Sequence, residues 1–342
     1  MKRHLLTIAI LAGLIVAAAL ASHLLGIRLY DRIATNLCIS LVLVLGLQLF
    51  MGNSGILSFA HMGFMGVGAY ASAVLTIPVQ MKGMALPDLY PFLQGVQLSP
   101  LLAIAVAGAV AALVAAAVSY PLMRLSDAAA VITSFALLVV LYTAMTNWSA
   151  LTNGPRTLFG LPRATDLTLA ALVAILALVG ALAFKESRTG RLLRASRDDE
   201  RAAAAMGANI PALRWRAFVL AALFAGVGGA LWGHFITSFS PKAFYLRETF
   251  LILSMLVIGG ANTVTGAVVG TFIVTGAYEG LRGIEGLLNQ AKLTGDPVIG
   301  LTEIVLALAM IVVLVLRPGG LFPTREIGTL ITRRLARREP KP

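Results

Sequence analysis

The sequence predicts an all-α polytopic membrane protein with about ten transmembrane helices and both termini cytoplasmic. Three observations carry that expectation. Only 12% of the 342 residues are charged and 58% are hydrophobic, against roughly 25% charged in a soluble domain. Apolar runs approach or exceed the 18 or so residues that span a bilayer. Those runs lack the polar–apolar alternation over about 10 residues that marks a membrane β-barrel.

In order, the runs fall at 5–25, 32–51, 56–77, 99–123, 128–147, 166–184, 213–236, 247–258, 265–281 and 301–316. The first competes with a signal-peptide reading, because MKRHLLTIAILAGLIVAAALAS has a basic start and an Ala19-Leu20-Ala21 cleavage-type site. Its apolar stretch is long for that role, and cleavage would leave the orientation of every later span unchanged. The third run begins in GNSGILSFAHMGF (52–64), too polar at its start for a plain span. The pair 247–281 must cross twice with 35 residues, where two crossings need about 40. Its middle, GGANTVTG (259–266), is uncharged. Residues 52–58 and 259–266 are therefore expected to be non-helical or half-helical turns dipping into the membrane, where such backbone survives only buried in protein or lining a wet cavity. An offset of 208 aligns Gly52 with Gly260 and Gly68-Ala69-Tyr70 with Gly276-Ala277-Tyr278, the pattern of a possible internal repeat of the kind common in transporters.

The basic residues set the orientation. With the N-terminus inside, 18 of 27 Lys and Arg are cytoplasmic: Lys2, Arg3, Arg124, eight in 185–216 and seven in the tail 317–342. The acidic residues split seven inside and eight outside, so nearly all of the +12 net charge is cytoplasmic. The chain thus divides into a membrane domain (1–316) and a basic tail (317–342). Nucleic-acid binding is not implied, since the arginine runs lack interleaved aromatics. The single cysteine, Cys38, excludes an intrachain disulfide.

The strongest feature outside the membrane is 187–211, SRTGRLLRASRDDERAAAAMGANIP, within the loop 185–212. With Ser196 as N-cap, Asp198, Asp199 and Glu200 fall in the first turn, where acidic groups meet the positive helix end. Four alanines favour helix, and Gly207 suits the left-handed C-terminal position. A helix of about ten residues is marginal alone in water and needs a packing partner. The alternative is a solvated basic loop that only fixes orientation.

The run from Arg197 through DDERAAAAMGANIPALRWRAFVLAALFAGVGGALWG resembles the cytoplasmic loop and following helix of LivM-type permeases, the membrane subunits of branched-chain amino acid ABC importers. GNSGILSFAHMGFMGVGAYASAVL (52–75), FSPKAF (239–244) and RPGGLF (317–322) agree with it, and together the four stretches cover about a quarter of the chain. The resemblance implies that Glu200-Arg201-Ala202 through Gly207 form a coupling helix. The ATPase-docking set is then Arg197, Asp198, Asp199, Glu200, Arg201, Ala202 and Gly207. It also implies two cytoplasmic ATPase subunits, a second permease of the paralogous LivH type, and a periplasmic solute-binding protein, all at the bacterial inner membrane. The sequence departs from the family after the later Gly-rich turn, which reads GGANTVTGAVVG without the usual aromatic and proline. It also departs in the fourth to sixth spans.

Within the membrane, Asn53, Ser54, Ser58, Asn262, Thr263 and Thr265 are the substrate-path residues, since neutral polar groups hold a zwitterion weakly enough to release it. The same groups can equally cap or cross-link helices. His61 is read as a packed core histidine. No phosphate-binding G-x-x-x-x-G-K-[ST] loop occurs, so this chain is not itself the ATPase. Neither metal-ligand spacing nor a nucleophile with an evident base occurs, and no cofactor is expected. An ion-coupled secondary transporter is the alternative of another class, and urea or short amides are alternative cargoes. Ion coupling usually needs ionisable groups at mid-membrane, whereas Glu248, Glu279 and Glu303 sit near outer ends.

Overall fold

Each apolar run is helical over most of its length in the computed structural model, which describes residues 2–125, 127–290, 300–317, 319–324 and 326–329. The α-helices among these residues are α1 (Lys2–Leu25), α2 (Arg28–Ser54), α3 (His61–Thr76), α4 (Val79–Ala85), α5 (Pro91–Gln94), α6 (Pro100–Ser119), α7 (Asp127–Asn147), α8 (Ser149–Thr152), α9 (Leu167–Glu186), α10 (Arg188–Asp198), α11 (Glu200–Ala205), α12 (Ile210–Ile236), α13 (Leu246–Gly259), α14 (Val264–Gln290) and α15 (Leu301–Leu316). Seven are long and apolar enough to cross a membrane: α1, α2, α6, α7, α9, α12 and α14. Among the described residues the β-structure is one isolated bridge, Leu158 to Phe239. This is an all-helical, multi-pass membrane protein.

Helix α2 is the central post. Nearly every residue from Ala34 to Ser54 is buried, against α1, α9, α12, α13 and α14. The outer helices instead leave one face open, with Leu113, Ile132 and Leu176 exposed. The close crossing of α12 over α3 depends on small residues. A methyl group on Gly229 would strike the Met65 carbonyl, and one on Gly68 would strike Gly226.

The two expected turns exist but are shifted. Residues 52–54 remain helical, and α2 stops at Gly55, whose φ of 75° is left-handed and whose N–H returns to the Met51 carbonyl at 2.9 Å. The break is 55–60 rather than 52–58, because glycine enters the left-handed region without a Cβ clash. Likewise α13 ends at Gly259 and Gly260 has φ 115°, so the second break is 260–263. Thr265 and Gly266 already lie in α14. Helices α3 (16 residues) and α13 (14 residues) extend only about 24 and 21 Å at 1.5 Å per residue, short of the roughly 30 Å hydrocarbon core. These are the partial helices beside the breaks.

The suggested repeat offset does not carry into the fold. At the two breaks the glycines with positive φ are Gly55 and Gly260, which does not fit the offset of 208. Gly68 lies against α12, whereas a methyl on Gly276 would meet nothing within 4 Å, so that glycine match reflects composition. Helix α14 also runs to Gln290, making half of the expected 282–300 loop helical. Residues 291–299, and residues 318, 325 and 330–342 of the basic tail, lie outside the described residues.

His4 at the start of α1 lies 3.9 Å from Glu186 at the end of α9, and Lys185 is paired with Glu326. Both ends of the described chain therefore lie at the end of the bundle that carries the 187–209 connection. We call this the loop end.

Candidate functional site

The connection is two helices, not one. Ser187 caps α10, accepting from the Gly190 N–H at 3.1 Å. Ser196, the expected N-cap, is buried inside α10 and donates to the Leu193 carbonyl at 2.8 Å. Asp199 is the residue that leaves helical geometry (φ −151°, ψ 107°), and its Oδ1 accepts from the Ala202 N–H at 2.9 Å. A carboxylate offered to free N–H groups outcompetes a hydroxyl that already has a partner in its own helix. Gly207 does take the left-handed position, with φ 83°.

Helix α11 stands on the bundle through Glu200, whose Oε2 pairs with Arg214 Nη2 at 2.8 Å. Arg214 is buried and also donates to the Leu125 carbonyl at 3.2 Å. The other face is open: Asp198, Arg201, Ala202 and Gly207 are exposed, and Met206 is 84% exposed. Of the seven residues expected to dock an ATPase, four point outward, Asp199 and Glu200 also hold the helix in place, and Arg197 turns inward.

Arg197 is the centre of a polar junction that joins the last turn of α2 to the second break. Its Nη1 donates to the Gly52 carbonyl at 3.0 Å and to Asn262 Oδ1 at 2.7 Å. One turn earlier, Arg194 Nη1 donates to Asn53 Oδ1 at 3.1 Å and to the Lys185 carbonyl at 2.5 Å. Burial lowers the pKa of this guanidinium from its ordinary value. Helix α2 also touches the second break directly, through Gln48 Nε2 and the Ala261 carbonyl at 3.4 Å.

The stretch after α15 straps the second break from outside. The Leu321 and Phe322 N–H groups donate to the Ile258 and Gly259 carbonyls at 3.0 and 2.9 Å, and Thr263 Oγ1 donates to the Phe322 carbonyl at 2.7 Å. Glu326 then caps α14. Its oxygens accept from the Val264 N–H (2.9 Å), the Thr265 N–H (2.9 Å), the Thr265 hydroxyl (2.6 Å) and Lys185 Nζ. Burial pushes its carboxyl pKa up, but the Lys185 charge and these hydrogen bonds outweigh that and hold it below the ordinary value. Lys185 Nζ also reaches the Asn262 carbonyl at 3.0 Å.

The six polar residues expected along a solute path thus meet protein partners, with one exception. Asn53 Nδ2 and the Ser54 hydroxyl donate to the Leu49 and Phe50 carbonyls, each at 2.8 Å. Asn262, Thr263 and Thr265 are bonded as above. Of these six, only Ser58 has its side-chain hydroxyl buried without a partner among the described residues. It faces a cavity of about 10 Å³ shared with His61, Phe64 and Phe218, the space of one water at most. His61 Nε2 lies 2.9 Å from the Leu43 carbonyl, as a packed histidine does. Sequence reasoning counted Arg194 and Lys185 only as charge and missed Glu326. The available signal was one acid in an otherwise basic stretch right after RPGGLF.

Comparison with known proteins agrees with this architecture. The family model described as "Branched-chain amino acid transport system / permease component" matches residues 29–314. The high-affinity branched-chain amino acid transport system permease protein LivM of Escherichia coli K12 is 24% identical over 325 residues, covering 85% of this chain and 69% of the relative. The LivM protein of Salmonella typhimurium LT2 matches to the same extent. LivH of Escherichia coli K12 is 24% identical over 314 residues, covering 84% of this chain and 92% of the relative. No solved structure matches. With most of its membrane domain matched, the chain belongs to the family of permease components of branched-chain amino acid transport systems.

Proposed function

We propose that this chain is the permease subunit of an ATP-driven importer that moves branched-chain amino acids across the bacterial inner membrane by alternating access. In this reading the loop end is cytoplasmic, as the positive-inside rule requires. The exposed face of α11, with Met206 at its tip, seats on one of two ATPase subunits. A second, LivH-type permease completes the pore, and a periplasmic binding protein delivers the solute at the far end.

One observation carries the mechanism: a single guanidinium, Arg197, bonds from α10 both the last turn of α2, just before the first break, and the second break. Helix α10 runs directly into α11, so a displacement imposed at α11 reaches Gly52 and Asn262 together. Broken helices are where a membrane protein can bend without losing backbone hydrogen bonds along a whole span. Asn53, Ser54, Ser58, Asn262, Thr263 and Thr265 then present polar groups to the solute when the junction opens.

The test is uptake of labelled leucine into proteoliposomes containing the assembled transporter. Uptake should require ATP, survive a protonophore, and fall at least tenfold in Arg197→Ala while the ATPases stay bound. ATP-independent uptake collapsed by the protonophore would point to ion coupling. Uptake of urea in place of leucine would move the cargo and leave the mechanism standing.

A further inference from the structure

We propose that the groove between α1, α2 and α9, at the end opposite the loop, holds one anionic phospholipid with a hydroxylated head, of the phosphatidylglycerol type. The groove has a volume of about 1150 Å³. Its rim carries Arg28, Arg32 and Arg163 against Asp31 and Asp166. None of the three guanidiniums forms an ion pair among the described residues. Below the rim the wall turns apolar, with Leu20 of α1 and Leu172 of α9 each 56% exposed.

Two buried polar atoms make this a built site. Thr165 is only 1% exposed and lines the groove, yet its hydroxyl has no partner. Asp31 Oδ1 is likewise buried and unpartnered. A buried group without a partner costs the full loss of its hydration, so an occupant with matching groups is favoured. A phosphate satisfies the guanidiniums and accepts from Thr165, and a head-group hydroxyl donates to Asp31. The apolar wall runs along helices whose leucines already face lipid, so one acyl chain lies there without leaving the bilayer. A free anion uses the rim and leaves the wall bare.

The test is native mass spectrometry of the full-length chain titrated with phosphatidylglycerol, phosphatidylcholine or inorganic phosphate. One retained phosphatidylglycerol is expected, preferred at least tenfold over phosphatidylcholine. Each cation near a membrane surface strengthens anionic-lipid association about fivefold, so Arg32→Gln/Arg163→Gln should weaken it roughly twenty-five-fold. Leu172→Trp, which fills the wall and leaves the charges alone, should weaken lipid binding more than fivefold. It keeps the test decisive if the arginine variant fails to fold. Undiminished retention in both variants overturns the proposal. So does displacement of the lipid by millimolar inorganic phosphate, which makes this a phosphate site. Protection of Leu172→Cys from thiol reagents by a second permease chain, with no lipid bound, also overturns it and makes the groove a subunit interface.

Discussion

Replacing Glu326 by alanine removes the carboxylate that caps α14 and neutralises Lys185. Lys185 is 8% exposed, and its charge would be left without its carboxylate. Breaking a buried ion pair by deleting one member costs about 3–5 kcal/mol, mostly through the stranded charge. Two helix N–H groups and the Thr265 hydroxyl lose their acceptor as well, and loss of a helix cap alone costs about 1 kcal/mol. A local destabilisation of about 4 kcal/mol corresponds to nearly a thousandfold more opening. Hydrogen exchange read by mass spectrometry should therefore accelerate by two to three orders of magnitude in peptides covering 260–268, with α6 unaffected. The double variant Lys185→Met/Glu326→Ala removes the stranded charge and should recover most of the loss, leaving about 1 kcal/mol for the missing cap. Exchange in Glu326→Ala within threefold of the parent, or a double variant no better than the single, would refute the reasoning.

Because the Glu326 pKa is held below its ordinary 4.5, the capped state is stabilised fully above that pH and loses the stabilisation as pH falls through the lower folded value. The same peptides should exchange faster on acidification, after correction for intrinsic rates, and Glu326→Gln should abolish that dependence. Gly55→Ala forces a side chain into φ 75° and sets a methyl 2.6 Å from Arg197 Cγ; it should cost about 1–2 kcal/mol and depress transport more than assembly. Met206→Glu, at the most exposed large apolar side chain among the described residues, should leave thermal stability within about 0.5 kcal/mol while lowering co-purification of the ATPase several-fold.

The helical membrane fold was legible because its signals are local. Apolar runs of α2, α6 and α9 announce helices whatever surrounds them, and the arginines of 185–216 announce a loop. The existence of the two breaks could be read from GNSGILS and GGANTVTG, since uncharged Gly-rich stretches are hard to place in lipid. Their limits could not. Gly52 and Gly55 are both glycines in the same stretch, yet the first is helical and packed where a methyl would strike the Ala261 carbonyl, and the second is left-handed and ends the helix. The choice between Ser196 and Asp199 as a cap turned on which side chain was already occupied in its own helix.

The amino-acid sequence settled that the chain is a helical, multi-pass membrane protein, which loop carries the cationic excess, and which family's motifs are present, because hydropathy, charge and motif spacing belong to neighbours in the chain. Only the tertiary structure brought Lys185, Arg194, Arg197 and Glu326 to the end of α2 and the second break. Those contacts join residues separated by 65 to 145 positions, and no local pattern encodes a partner that far away. Arg197 shows the difference: in the chain it is one more arginine of a basic loop, and in the fold it is the hinge pin between Gly52 and Asn262.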